Sequence, residues 1–198
     1  MPVFVSHNSV DSVPMGGGVS RQPLITAESV GNDSIILDRW IMEVGNAAQI
    51  SVASTDLAWF QLLQGEATLD GSAGTHHLSD ANVVFLPPNF AGTLVAASGA
   101  AVLYARIPHA ARFDPGFADS SLEFRCVNWR EEPVLDSEHD ARTRIYLVTP
   151  TLFGTKAVKG EMIIYAPGAT ASMHHHEGAE HFQYIISGSG TALLGDES

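Results

Sequence analysis

The residues best equipped for chemistry sit together late in the sequence: His174, His175 and His176, then Glu180 and His181. Imidazole nitrogens and carboxylate oxygens are the donors that hold Mn, Fe, Ni and Zn, and an ion left with an open position polarises a bound substrate or activates water. Side chains alternate faces along a strand, so His174 and His176 project to one side and His175 to the other. A turn through Glu177, Gly178 and Ala179 lets the next strand return alongside, with His181 in reach and Gln183 and Ile185 behind it. By the same alternation only one of Glu180 and His181 can share the donor face. With His181 the set is three neutral imidazoles, which leave the metal's charge uncompensated and favour an anionic substrate group or hydroxide as a further ligand. With Glu180 it is two histidines and one carboxylate, the face suited to Fe(II). His-rich runs are often solvated polar tracts, but this one lies within an apolar strand pattern. His7, His76, His77, His109 and His139 lie in turns or irregular stretches without partner spacing, and no role is assigned to them.

The elements that must position these donors read as strands. Runs such as SIILDRWIMEV, AWFQLLQGEATL, NVVFLPP and GEMIIYAP are rich in β-branched and aromatic residues and are separated by Gly, Pro, Asn and Asp, the pattern of an all-β sandwich or barrel. AGTLVAASGAAVLYARI reads as two consecutive buried strands, because Ser98, Gly99 and Arg106 interrupt it too often for a membrane span. No long amphipathic helix is expected, although LITAESV or SSLEFRCV could form a helical turn. The opening twenty or so residues, with Gly16, Gly17 and Gly18, read as irregular, and so does the stretch from Pro108 to Asp140.

An internal repeat organises the chain. Gly45, Ser51, Ala53, Ala58 and Gly65 recur 123 positions later as Gly168, His174, His176, His181 and Gly188, with every gap preserved. Ser51, Ala53 and Ala58 therefore stand where the second copy carries histidines, and none of them can hold a metal. This spacing resembles the first signature of the cupin superfamily, a glycine, an HxH pair, a carboxylate and a glycine. ANVVFLPPNFAG is similar to the second signature, with Gly92 where that family has its last histidine ligand. The resemblance implies cupin, or jelly-roll, β-barrels in tandem. It implies an N-terminal segment at 1–34, a barrel without metal ligands at 35–110, a connection at 111–140 and the first part of a metal-binding barrel at 141–198. The same shift places the second signature of that later barrel beyond Ser198, so the barrel is expected to be incomplete and its fourth ligand missing. Among two-barrel cupins the pattern of an empty first barrel and a metal-bearing second one looks like the (S)-ureidoglycine aminohydrolase-like group, through IIYAPGAT and EHFQYIISGSG. That group implies a manganese-dependent hydrolase. It has a glutamate and a histidine where this chain has His174 and His176.

Composition bounds the partners. Of 198 residues, 45% are hydrophobic, enough for a packed core. Ten Lys and Arg against 22 Asp and Glu give a net charge of −12, which would repel nucleic acid and anionic membrane surfaces. The lone Cys126 excludes an internal disulfide and reads as a small buried residue in a reducing, cytoplasmic setting. The expected partners are a small-molecule substrate and further copies of the chain in a homodimer or higher homo-oligomer. The function these features favour is a metal-dependent enzyme acting on a small polar metabolite, as hydrolase, aminohydrolase or dioxygenase. A non-catalytic binding module or a structural subunit is the alternative.

Overall fold

The computed structural model describes residues 3–136, 142–174 and 177–194. The first two strands, β1 (Val13–Gly16) and β2 (Val19–Ile25), form an antiparallel hairpin. Its turn is the run Gly16, Gly17 and Gly18, with φ of 89°, 59° and 71°. These left-handed values suit residues without a Cβ, so the glycines that made the opening look irregular are what closes the hairpin. A single helical turn, α1 (Ala27–Val30), follows within LITAESV. Thr26 caps it reciprocally with Ser29, and Gly31 ends it at φ 76°.

Eight strands then complete two facing sheets: β3 (Ile36–Met42), β4 (Ala47–Ser51), β5 (Leu57–Gln64), β6 (Ala67–Gly71), β7 (Gly74–Leu78), β8 (Asn82–Leu86), β9 (Ala91–Ala96) and β10 (Ala100–Ile107). The apolar run from Ala91 thus divides into β9 and β10, one in each sheet. After two single 3₁₀ turns comes β11 (Arg125–Asn128), a strand in the stretch where SSLEFRCV allowed a helical turn. The large sheet has the order β1-β2-β3-β10-β5-β8-β11 and the smaller one β4-β9-β6-β7, all pairs antiparallel. The strands from residues 13–25 and 125–128 belong to the same sheet as those of residues 36–107. Between the sheets lies a core of Trp40, Met42, Phe60, Leu62, Leu69 and Leu94 with their neighbours. A buried aromatic such as Phe60, 0% exposed, contributes about 1.5–3 kcal/mol by leaving water.

Beyond this barrel, β12 (Leu135–Asp136), β13 (Arg142–Val148) and β14 (Gly160–Tyr165) form a three-stranded antiparallel sheet, with α2 (Pro150–Phe153) between β13 and β14. This module repeats the start of the chain. Adding 123 to Val19–Ile25 gives Arg142–Val148, and adding it to Ala27–Val30 gives Pro150–Phe153. The caps match as well: Thr26 and Thr149 accept at the N-terminus, and Gly31 and Gly154 follow at φ 76° and 74°. Gly45 and Gly168 have φ of 79° and 78°, and Gly65 and Gly188 have 85° and 84°. The repeat detected at residues 45–65 therefore extends back to β2, through segments that share Arg21 with Arg144 and Leu24 with Leu147 as well as the cap residues.

The two modules pack through the outer face of the large sheet. Strand β5 is largely buried on both faces, which is why AWFQLL is apolar at every position but Gln61. Its Ala58, Phe60 and Leu62 face the barrel core. Leu57, with Val83, Phe85 and Ile107, meets Ile145, Leu147, Val148 and Phe153 of the second module, and Phe85 stacks on Phe153 at 4.4 Å. Residues 112–114 hold corresponding loops of both modules. Arg112 Nη1 donates to Asp33 Oδ1 at 2.7 Å, while Asp114 accepts from the Thr155 hydroxyl at 2.9 Å and the Lys156 amide at 2.8 Å. Those hydrogen bonds hold the Asp114 carboxyl below the usual aspartate range. Cys126 departs from expectation. It is exposed on the edge strand β11, where Asn82 Nδ2 approaches its sulfur at 3.6 Å.

Candidate metal centre

Residues 177–194 run largely without regular ladder pairing, but they are not featureless. Glu177 and Gly178 form the expected turn, with Gly178 at φ 66°. From His181 to Ile185 exposure alternates: His181, Gln183 and Ile185 are exposed, and Phe182 and Tyr184 are half-buried. Phe182 and Tyr184 pack on the cluster formed by Leu24, Leu37, Leu103 and Ala105 of the first barrel. Phe182 lies parallel to Trp59, with ring centroids 6.4 Å apart and an interplanar angle of 18°. Trp59 and Phe182 are themselves 123 positions apart, so equivalent residues of the two modules meet across the interface.

That packing separates the two candidate third ligands. Glu180 Oε1 accepts from Asn32 Nδ2 at 3.4 Å, on the side where Phe182 and Tyr184 meet the first barrel. Alternation puts His181, Gln183 and Ile185 on the opposite side. Upstream, His174 is exposed, and its Nδ1 lies 2.8 Å from the Ser172 carbonyl oxygen. A carbonyl only accepts, so Nδ1 carries the proton and the lone pair of the neutral ring is on Nε2, the tautomer a metal ligand needs. His176 lies outside the described residues. Among the described residues no three His, Cys, Asp or Glu side chains converge in a metal-holding group.

The first barrel gives an internal reference for the faces. Ala58, at the position of His181, is fully buried against the barrel core. Ser51 and Ala53, at the positions of His174 and His176, are exposed, whereas Ile50 and Val52 enter the core. Carried forward by 123, the inward positions of β4 correspond to Met173 and His175, the latter outside the described residues. Equal spacing thus aligned the strands but did not fix which face points in. The remaining histidines are set in local structure. His76 and His77 lie on β7 rather than in a turn: His76 is half-buried and tilted on Phe124 at 4.5 Å, and His77 Nδ1 pairs with the Thr68 hydroxyl at 3.2 Å.

The strand order, the two facing sheets and the solved structures that resemble this chain agree on one architecture. The chain has a cupin fold. Protein Ylba from E. coli matches 73% of the chain at 14% identity with a TM-score of 0.56. A protein from Pseudomonas aeruginosa bearing the name glyoxylate-induced protein matches 70% at 11% identity with a TM-score of 0.59. An RmlC-like cupin from Shewanella frigidimarina aligns over 55% of the chain at 18% identity with a TM-score of 0.47. The chain spans 63% of the E. coli protein and 53% of the Pseudomonas protein. No protein-family model and no curated protein matches the sequence. Among the described residues, no helix is long and apolar enough to cross a membrane.

Proposed function

We propose that the chain is a two-barrel cupin whose second module binds one divalent transition metal, Mn, Fe, Ni or Zn, and acts as a metal-dependent enzyme on a small polar metabolite. The observation that carries this reading is the face of His181. Glu180, Phe182 and Tyr184 are engaged on the first barrel, and the opposite side of the same segment presents an imidazole at the position of the inward-facing Ala58. The tautomer of His174 also suits metal ligation. A metal bound there would supply Lewis acidity to a substrate oxygen or nitrogen, as hydrolase, aminohydrolase or dioxygenase chemistry requires. Gln183, the next residue on the His181 face, would orient the bound substrate through its amide. Glu180 is left as a clasp to Asn32 rather than a ligand.

Two registers of the upstream run are compatible with His181. The HxH spacing pairs it with His174 and His176. Ser51, the counterpart of His174, lines a first-barrel cavity beside Arg106, which supports that register, whereas the burial of Ile50 and Val52 supports a shift by one residue to a face carrying His175 and Glu177, a set with one carboxylate. Metal content of purified variants separates these outcomes. His181→Ala should abolish bound metal in either register, while Glu180→Ala should keep it. Loss in His174→Ala with retention in His175→Ala selects the first register, and the reverse selects the second. Full retention in His181→Ala would overturn the site.

A further inference from the structure

The first barrel has no histidine at the three repeat positions, Ser51, Ala53 and Ala58, and its mouth is not apolar. On the inner face of the large sheet, Arg21, Ile36, Asp38, Tyr104 and Arg106, together with Ser51 of β4, line a half-open cavity of about 210 Å³. At about 30 Å³ for each liquid water, that is room for roughly seven waters, or a ligand of a few non-hydrogen atoms.

The sheet register explains how these groups converge. Tyr104 stands opposite Asp38 on β3, and Arg106 stands opposite Ile36 on one side and Ala58 on the other. Directly paired residues in an antiparallel ladder point the same way. Arg106 therefore projects beside Ala58, the first-barrel counterpart of His181. A guanidinium occupies the neighbourhood where the second module offers an imidazole.

The charges there are incompletely matched. Arg21 Nη1 pairs with Asp38 at 3.3 Å, but Arg106 makes no side-chain hydrogen bond or ion pair among the described residues. Tyr104 is only 8% exposed and stacked on Trp40 at 4.3 Å, and no described residue hydrogen-bonds to its hydroxyl. Burial pushes that hydroxyl's pKa up to about 12, so it is a neutral donor at any physiological pH. Two guanidinium groups and one carboxylate leave one positive charge for a ligand to neutralise.

We propose that this cavity binds a small monocarboxylate carrying a hydroxyl or amino group beside its carboxylate. The carboxylate would lie on Arg106, where a planar guanidinium can donate two parallel hydrogen bonds, with Tyr104 donating a third. The neighbouring hydroxyl or amino group would donate to Asp38, which has Arg21 on its other side. Ser51 closes the rim. The first barrel then holds an organic anion with a fixed cation in place of a metal, independently of the centre proposed for the second module.

Lactate is a suitable probe, with the indole N–H resonance of Trp40 as the local readout in ¹⁵N-labelled full-length protein. The expected result is a saturable shift of the Trp40 signal with no change at Trp129, whose indole donates to the Asp80 carbonyl and does not line the cavity. Arg106→Gln should weaken binding by at least about tenfold, since it removes the charge-assisted contact. Tyr104→Phe keeps the ring stack and should weaken binding less. His181→Ala should bind lactate as the parent does. No saturable shift, equal affinity in Arg106→Gln, or loss of the shift in His181→Ala would overturn the proposal.

Discussion

Asp38 shows how the barrel mouth is tuned by single residues. Burial is the largest influence on its carboxyl and raises it above the usual aspartate range, while Arg21 pulls it back. A carboxyl whose folded pKa lies above its unfolded value keeps its proton longer in the native state. Its contribution to stability is full below the unfolded pKa and is lost as pH rises through the folded one. Arg21→Gln removes the opposing charge, so the folded pKa rises further and the window of loss widens. Urea unfolding should show a larger fall in stability between about pH 4 and about pH 7 for Arg21→Gln than for the parent protein. An unchanged difference would mean that Asp38 is screened by solvent instead. The histidine run and the repeat stand out in the sequence without any structure, and they nominate the candidate donors as a set. Their orientation was not. A shift of one residue turns every side chain of a strand to its other face, and the exposed Ser51 beside the buried Ile50 and Val52 shows that equal gaps leave this open.

At the scale of elements, the matched glycines give the sharpest comparison. Gly65 and Gly188 share a left-handed backbone, which costs a residue with a Cβ about 1–2 kcal/mol. A Cβ at Gly65 would also collide with the Gly99 carbonyl, whereas one at Gly188 would meet nothing within 4 Å. Gly65→Ala should therefore lower the unfolding free energy by clearly more than Gly188→Ala in chemical denaturation, although both positions have the same repeat role. The alternating apolar runs gave away most strands, including the split of the Ala91–Ile107 stretch into β9 and β10. The β1–β2 hairpin and β11 escaped notice for different reasons. In the hairpin, β1 is exposed along its length and carries no burial pattern, and its turn is a glycine run that resembles a loop. In β11 both ends are polar, and the strand lies at a sheet edge where only one neighbour imposes a pattern.

On the scale of the whole molecule, the local geometry of β2 and α1 recurs in their counterparts β13 and α2. The two modules meet through equivalent residues, Trp59 on Phe182, and are tied by Arg112 and Asp114 to equivalent loops. The double-mutant cycle between Trp59→Ala and Phe182→Ala should return a coupling of about 0.5–1.5 kcal/mol, the range for an aromatic pair, measured by equilibrium unfolding. Additive effects would mean that the segment carrying His181 is not held by this contact. Because Phe182 adjoins His181, loss of the stack should also reduce metal retention, which links the interface to the proposed centre.

The second module is expected to hold a metal and the first is not. Elemental analysis of untagged protein, after incubation with Mn, Fe, Ni and Zn salts and removal of free ions, tests it most directly. The prediction is about one equivalent of metal per chain in the parent protein and none in His181→Ala, as a single histidine-based site requires. No bound metal in the parent, or the same content in His181→Ala, would contradict it.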